Sequence, residues 1–237
     1  EVNVSNALRV YSGGTLTVTD STLSGGVLTL DSGSTFTLAG SSVTQLSTIN
    51  ASAPVRVPSG ATGTARSFLD YNGSNTGRLN LSSTAATFEI DGALTVQPLI
   101  AGSNNLVKNG TGTLTLSPAG GGSNTYSGST LVNAGTLMLG TSGGIPTSGN
   151  VTVANGAVFN IGTVSNTRAT TIGTLTLNGG TFRVPSGSGN YYLKQIAFNG
   201  GLADFTGTTD FGLHFVVAGT AIQSSASSTR SEEHTSE

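Results

Sequence analysis

The chain has 237 residues, of which only 8% are Asp, Glu, Lys or Arg, with a formal net charge of −2 and no cysteine. Basic residues this few and this scattered argue against a surface that tracks a nucleic-acid backbone or an anionic membrane. The missing thiols exclude disulfide scaffolds, thiolate metal centres and cysteine nucleophiles.

Strand signals begin at once and helix signals are nearly absent. In chain order, GTLTV (14–18), GVLTL (26–30), STFTL (34–38), GRLNL (77–81), GALTV (92–96), GTLTL (112–116), GTLML (135–139) and GTLTL (173–177) share one pattern. Each is a short apolar–polar alternation entered through Gly or Ser. Alternation of period two sends Leu16 and Val18 one way and Thr15, Thr17 and Thr19 the other. The 35 glycines recur too densely for helices, where each interior glycine costs about 1 kcal/mol. No apolar run approaches the roughly 18 residues of a membrane helix.

The runs are too short to form an independent sheet, and they recur. From Leu114 to Leu137 is 23 residues and from Leu137 to Val158 is 21. That length suits one coil of a parallel β-solenoid, with coils about 4.8 Å apart. A β-sandwich would need regular hairpins, and a propeller four strands per period of about 40–45 residues. Asn109-Gly110, Asn178-Gly179 and Asn199-Gly200 are the expected left-handed corners. The expected architecture is therefore all-β: a β-solenoid forming a single elongated domain over residues 1–229.

Residues 230–237, RSEEHTSE, break this composition. They read as the translation of a sequencing adapter rather than natural sequence, so Glu232, Glu233 and His234 carry no functional weight. Residues 1–20 lack the basic start and apolar core of a signal peptide, and the chain reads as an internal fragment.

At residues 105–140 the pattern becomes specific. NLVKNGTGTLTLSPAGGGSNTYSGSTLVNAGTLMLG resembles the autotransporter-associated β-strand repeat. The matching positions are Leu106, Lys108, Gly110, Gly112, Thr113, Leu114 and Leu116, then Asn124, Tyr126, Gly128 and Thr130, then Gly135 and Leu137. Residues 117–123 insert a longer Gly-rich corner. Residues 87–105 and 171–184 look like neighbouring coils of the same family. The resemblance implies a right-handed parallel β-helix in the passenger region of an exported bacterial surface protein. It implies a cell-surface or extracellular place, Gram-negative and outer-membrane associated, with any membrane attachment made by an anchor outside this fragment.

Candidate chemistry is sparse. Lys108 precedes Gly110 and Gly112 and is followed by a strand, so KNGTGTLTL is not a phosphate loop, which needs Lys after its glycines and a helix beyond. Glycoside cleavage needs two carboxyl groups roughly 5–9.5 Å apart. Glu89 with Asp91 and Asp204 with Asp210 are the available pairs. The first pair reads as solvated strand-end residues and the second as Asx-turn residues. His214 sits in the apolar run FGLHFVV without a second histidine before the tail, which excludes a histidine metal cluster. Tyr191 and Tyr192, beside the loop at 185–190, offer aromatic faces for a sugar, with one of the two expected to pack inward.

The expected function is a non-catalytic passenger scaffold, adhesin-like, displaying a surface to host or neighbouring-cell glycans or proteins. It needs no cofactor, metal or nucleic acid. A carbohydrate-active or carbohydrate-binding β-helix is the alternative. Ice binding on Thr ladders is a minor one, since the coil spacing varies.

Overall fold

The computed structural model describes residues 1–66, 77–84, 86–118, 124–140, 144–165, 171–184, 186–206, 208–215 and 222–224. Among these residues there are strands and no helix. The tail at 230–237 and the Gly-rich corner at 119–123 lie outside the described residues.

The strands stack as coils. One face is built from β1 (Val2–Val10), β3 (Thr22–Leu30), β5 (Ser41–Ala51), β7 (Thr62–Ala65), β10 (Ala93–Val96), β13 (Thr113–Leu116), β15 (Thr136–Leu139), β17 (Val158–Asn160), β20 (Thr181–Arg183) and β22 (Leu202–Asp204), hydrogen-bonded in that order. A second face takes the intervening strands β2 (Thr15–Thr19), β4 (Thr35–Ala39), β6 (Val55–Val57), β9 (Thr87–Ile90), β12 (Leu106–Asn109), β14 (Thr130–Val132), β16 (Val151–Val153), β19 (Thr171–Leu177) and β21 (Ser186–Phe198). A third, shorter face pairs the end of β5 with β8 (Arg78–Leu81) and β8 with β11 (Leu99–Gly102). Each of these neighbours runs parallel to the last, which is the β-solenoid expected from the repeat spacing.

Alternation places the core. Leu114 and Leu116 are buried, while Thr113 and Thr115 are half-buried on the outer side. Register then turns inward residues into columns. Leu94, Leu114, Leu137, Phe159 and Phe182 stack on one face. Leu8, Leu28, Ile49, Leu79 and Ile100 stack on another. Each fully buried side chain contributes about 1.5–3 kcal/mol, and its cover comes from the coils above and below. Phe159 and Phe182 add a stacked ring pair with centroids 5.8 Å apart.

The register corrects one expectation. Leu137 pairs with Phe159, and Val158 pairs with Thr136 on the outer side. The step is thus one residue longer than the hydrophobic match to Val158 implied. A one-residue slip reverses faces, and the bulkier Phe159 wins the interior, where it is fully buried.

Corners break the strand ladder, and side chains of one coil repair it on the next. Asp20 Oδ1 accepts from Ser41 N at 2.8 Å, and Asn105 Oδ1 from Ser129 N at 2.8 Å. Asn150 Oδ1 accepts from Thr174 N at 2.9 Å. The three Asn-Gly corners behave as expected, with φ of +78° at Gly110, +75° at Gly179 and +79° at Gly200.

Candidate functional site

The first residues of the KNGTGTLTL stretch, 108–112, lie at one corner shared by three coils, and the rest form β13. On β12 the alternation points Lys108 inward, into a column that otherwise holds Phe36, Val55, Phe88, Val132 and Val153. Its side chain has no solvent exposure. The aliphatic stem takes the place of an apolar core residue, and the ammonium bends to the corner. There the three N–H donors of Nζ face four carbonyl oxygens, those of Gly110 at 2.7 Å, Asn109 at 2.8 Å, Ala134 at 3.2 Å and Ile90 at 3.4 Å. These oxygens come from the coil of Lys108, the coil before and the coil after.

Two glycines make this convergence possible. Gly110 turns the chain in the left-handed region. Gly112 serves a different need: a Cβ there would collide with the carbonyl oxygen of Gly92 on the coil below. Gly112 therefore permits a close approach between corners rather than a turn. On the outer side an amide chain ties the same three coils. Asn133 Nδ2 donates to Asn109 Oδ1 at 2.9 Å, and Asn109 Nδ2 donates to Glu89 Oε1 at 2.8 Å.

Burial lowers the Lys108 ammonium from its ordinary 10.5 to about 8, against the opposing attraction of Asp91 and Glu89. One oxygen of each carboxylate is engaged by neighbouring groups. Glu89 accepts from Asn109 and from Thr87 Oγ1, and Asp91 Oδ1 accepts from Thr111 N at 2.9 Å. Glu89 is half-buried near the end of β9 and Asp91 is exposed just beyond it, and both also fasten one coil to another.

The second half of the motif is also interior. Asn124 Oδ1 accepts from Ile100 N at 2.9 Å, and its Nδ2 donates to Gly144 O, so a buried amide bridges the coils on either side. Tyr126 is buried, with its hydroxyl 2.7 Å from Thr130 Oγ1. Burial pushes this phenol well above its usual range, against the pull of the Thr130 hydrogen bond, and keeps it neutral. Neither residue can be reached by a substrate from solvent.

Of the remaining candidates, Asp204 and Tyr192 have described side chains. Asp204 closes an Asx turn on Thr206, with N at 3.0 Å and Oγ1 at 2.6 Å, and accepts from Arg183 Nε at 3.0 Å. The Thr206 hydroxyl is the largest cause of its lowered pKa, and burial opposes the shift. Asp210 lies on β23 (Thr208–Phe215), where its backbone pairs with Ser188, and its side chain lies outside the described residues. His214 pairs through its backbone with Tyr192, which is half-buried. The side chains of His214 and Tyr191 lie outside the described residues. Among the described residues no three His, Asp or Glu side chains group together.

All of the motif positions thus fall on strands, corners and inward columns between Leu106 and Leu139. That span also carries a family signature. Residues 106–139 match the family model of the passenger-associated-transport-repeat. The repeat is the one to which the motif bears resemblance, and in this chain it spans strands β12 to β15. No curated protein and no solved structure matches the chain. The passenger repeat and the β-solenoid together fit an autotransporter passenger scaffold. Sequence reasoning had located Lys108 without its partners. Its place in the apolar column was the missing clue, since Lys108 is two residues from Leu106 on an alternating strand.

Proposed function

We propose that the chain is a non-catalytic scaffold segment in the passenger of an exported bacterial surface protein. Its stacked coils present their outer faces to host or neighbouring-cell glycans or proteins. Any attachment to a Gram-negative outer membrane is made by an anchor outside these residues. One observation carries the reading: the polar residues of the matched repeat are spent on holding coils together. Lys108, Asn109, Asn124, Tyr126 and Thr130 each bond within the solenoid wall or core. Glu89, Asp91 and Asp204, the described carboxylates considered for catalysis, are likewise engaged by neighbouring groups. An enzyme instead keeps its acid and base within reach of a bound substrate.

The test is turnover. The full chain is incubated with a panel of neutral and acidic polysaccharides, and released reducing ends or unsaturated products are measured. The scaffold reading predicts no turnover above buffer. Turnover that disappears in Asp204→Asn would replace it with a carbohydrate-active β-helix.

A further inference from the structure

A buried ammonium normally requires an opposite charge in contact with it. Lys108 has oxygens instead. The carbonyls of Ile90, Asn109, Gly110 and Ala134 lie 3.4, 2.8, 2.7 and 3.2 Å from Nζ. No one coil supplies them, so the set exists only when three coils are stacked in register.

The arrangement does not depend on the lysine side chain for its position. Gly112 N donates to Ile90 O at 2.8 Å, and Asn133 N donates to Lys108 O at 2.9 Å, bonds made by the main chain alone. The amide chain from Asn133 through Asn109 to Glu89 clamps the same coils from outside. The corners approach so closely that a Cβ at Gly112 would strike the Gly92 carbonyl oxygen.

We propose that this corner is a cation cage, a ring of main-chain carbonyls able to bind a small monovalent cation, which the chain fills with its own Lys108. The chemistry selects the class. Divalent ions take oxygens at about 2.0–2.6 Å and favour carboxylate ligands. Here the oxygens are neutral and stand farther from the central nitrogen, while Glu89 and Asp91 are occupied by Asn109 and Thr111. Rings of carbonyls that replace a hydration shell are how potassium-selective pores hold their ion. The two carboxylates still supply a negative field around the cage.

Truncation of the side chain exposes the cage to free ions. The full chain carrying Lys108→Ala is melted in ammonium, potassium or tetramethylammonium chloride at equal ionic strength. The expected result is a Tm that rises with ammonium or potassium concentration and does not rise with tetramethylammonium, which is too large and has no N–H. Wild type, whose cage is filled, and Lys108→Met, whose stem blocks it, shift alike in all three salts. If Lys108→Ala is unfolded in tetramethylammonium chloride, the refolded fraction becomes the readout, restored by ammonium or potassium. Equal melting, or equal failure to fold, in all three salts overturns the proposal. So does the same salt preference in Lys108→Met, because the ion would then be bound elsewhere.

Discussion

Lys108 is the residue at which the core's chemistry departs most from its pattern. Its column is apolar above and below, with Phe88 on one side and Val132 on the other. A charge placed there makes stability depend on pH in a definite direction. Lys108 titrates near 8 when folded and at its ordinary 10.5 when unfolded. Well below pH 8 both states are protonated and the effect is flat. Between about 8 and 10.5 the unfolded chain binds more protons, so stability rises with pH. Tm followed from pH 7 to 10.5 should therefore climb in wild type relative to Lys108→Met. Parallel curves would mean that the carbonyls hold the ammonium fully protonated. Gly112 gives a second prediction. Gly112→Ala forces a Cβ against the Gly92 carbonyl and should cost more than about 3 kcal/mol in denaturant unfolding, in the range of severe packing errors. The motif made both positions legible as special. What it could not convey is that one fills a cage and the other permits an approach, because both reasons lie on other coils.

At the scale of the strand, alternation was readable and face was not. GTLTL occurs at 112–116 and at 173–177. The first lies in the stack from β1 to β22, the second in the stack with β16 and β21. Identical pentapeptides occupy different walls because local alternation does not specify which position in the coil a run takes. The same reason explains Val158, which looked like the inward partner of Leu137 until the register gave that place to Phe159. Within a strand the inward set is secure, and it predicts unequal substitutions. Leu114→Asp buries a charge with no partner and should abolish cooperative folding. Thr115→Asp, on the outer column between Thr95 and Met138, should cost about 1 kcal/mol or less. Circular dichroism melts of the two variants measure the difference, and equal losses would contradict the assigned faces. Tyr126→Phe removes the partner of the buried Thr130 hydroxyl and should cost about 1–2 kcal/mol by the same measurement.

At the scale of the molecule the fold is a sum of coils that contact their neighbours. Such an array is modular: stability comes from each coil and its two interfaces rather than from one central core. The repeat in the sequence carried this architecture from the start, since Gly-rich corners and short alternating runs permit little else. The third face was not legible, because GRLNL, which forms β8, carries the same alternation as the runs of the other walls and its pairing with the end of β5 and with β11 appears only in the register. The interaction surface was not legible either, since the motif describes the interior of the wall and leaves its outer residues open. The central claim, that successive repeats stack in parallel and in register, is tested most directly by engineered disulfides in this cysteine-free chain. Thr95 and Thr115 are register partners on adjacent coils, about 4.8 Å apart, whereas Thr95 and Met138 are two coil steps apart. A disulfide spans Cα atoms about 4.4–6.8 Å apart. Mild oxidation of full chains carrying Thr95→Cys with Thr115→Cys should close the cross-link nearly completely, and the pair Thr95→Cys with Met138→Cys should stay open. Closure of both pairs to the same extent, or of neither, would contradict the stacked-coil account.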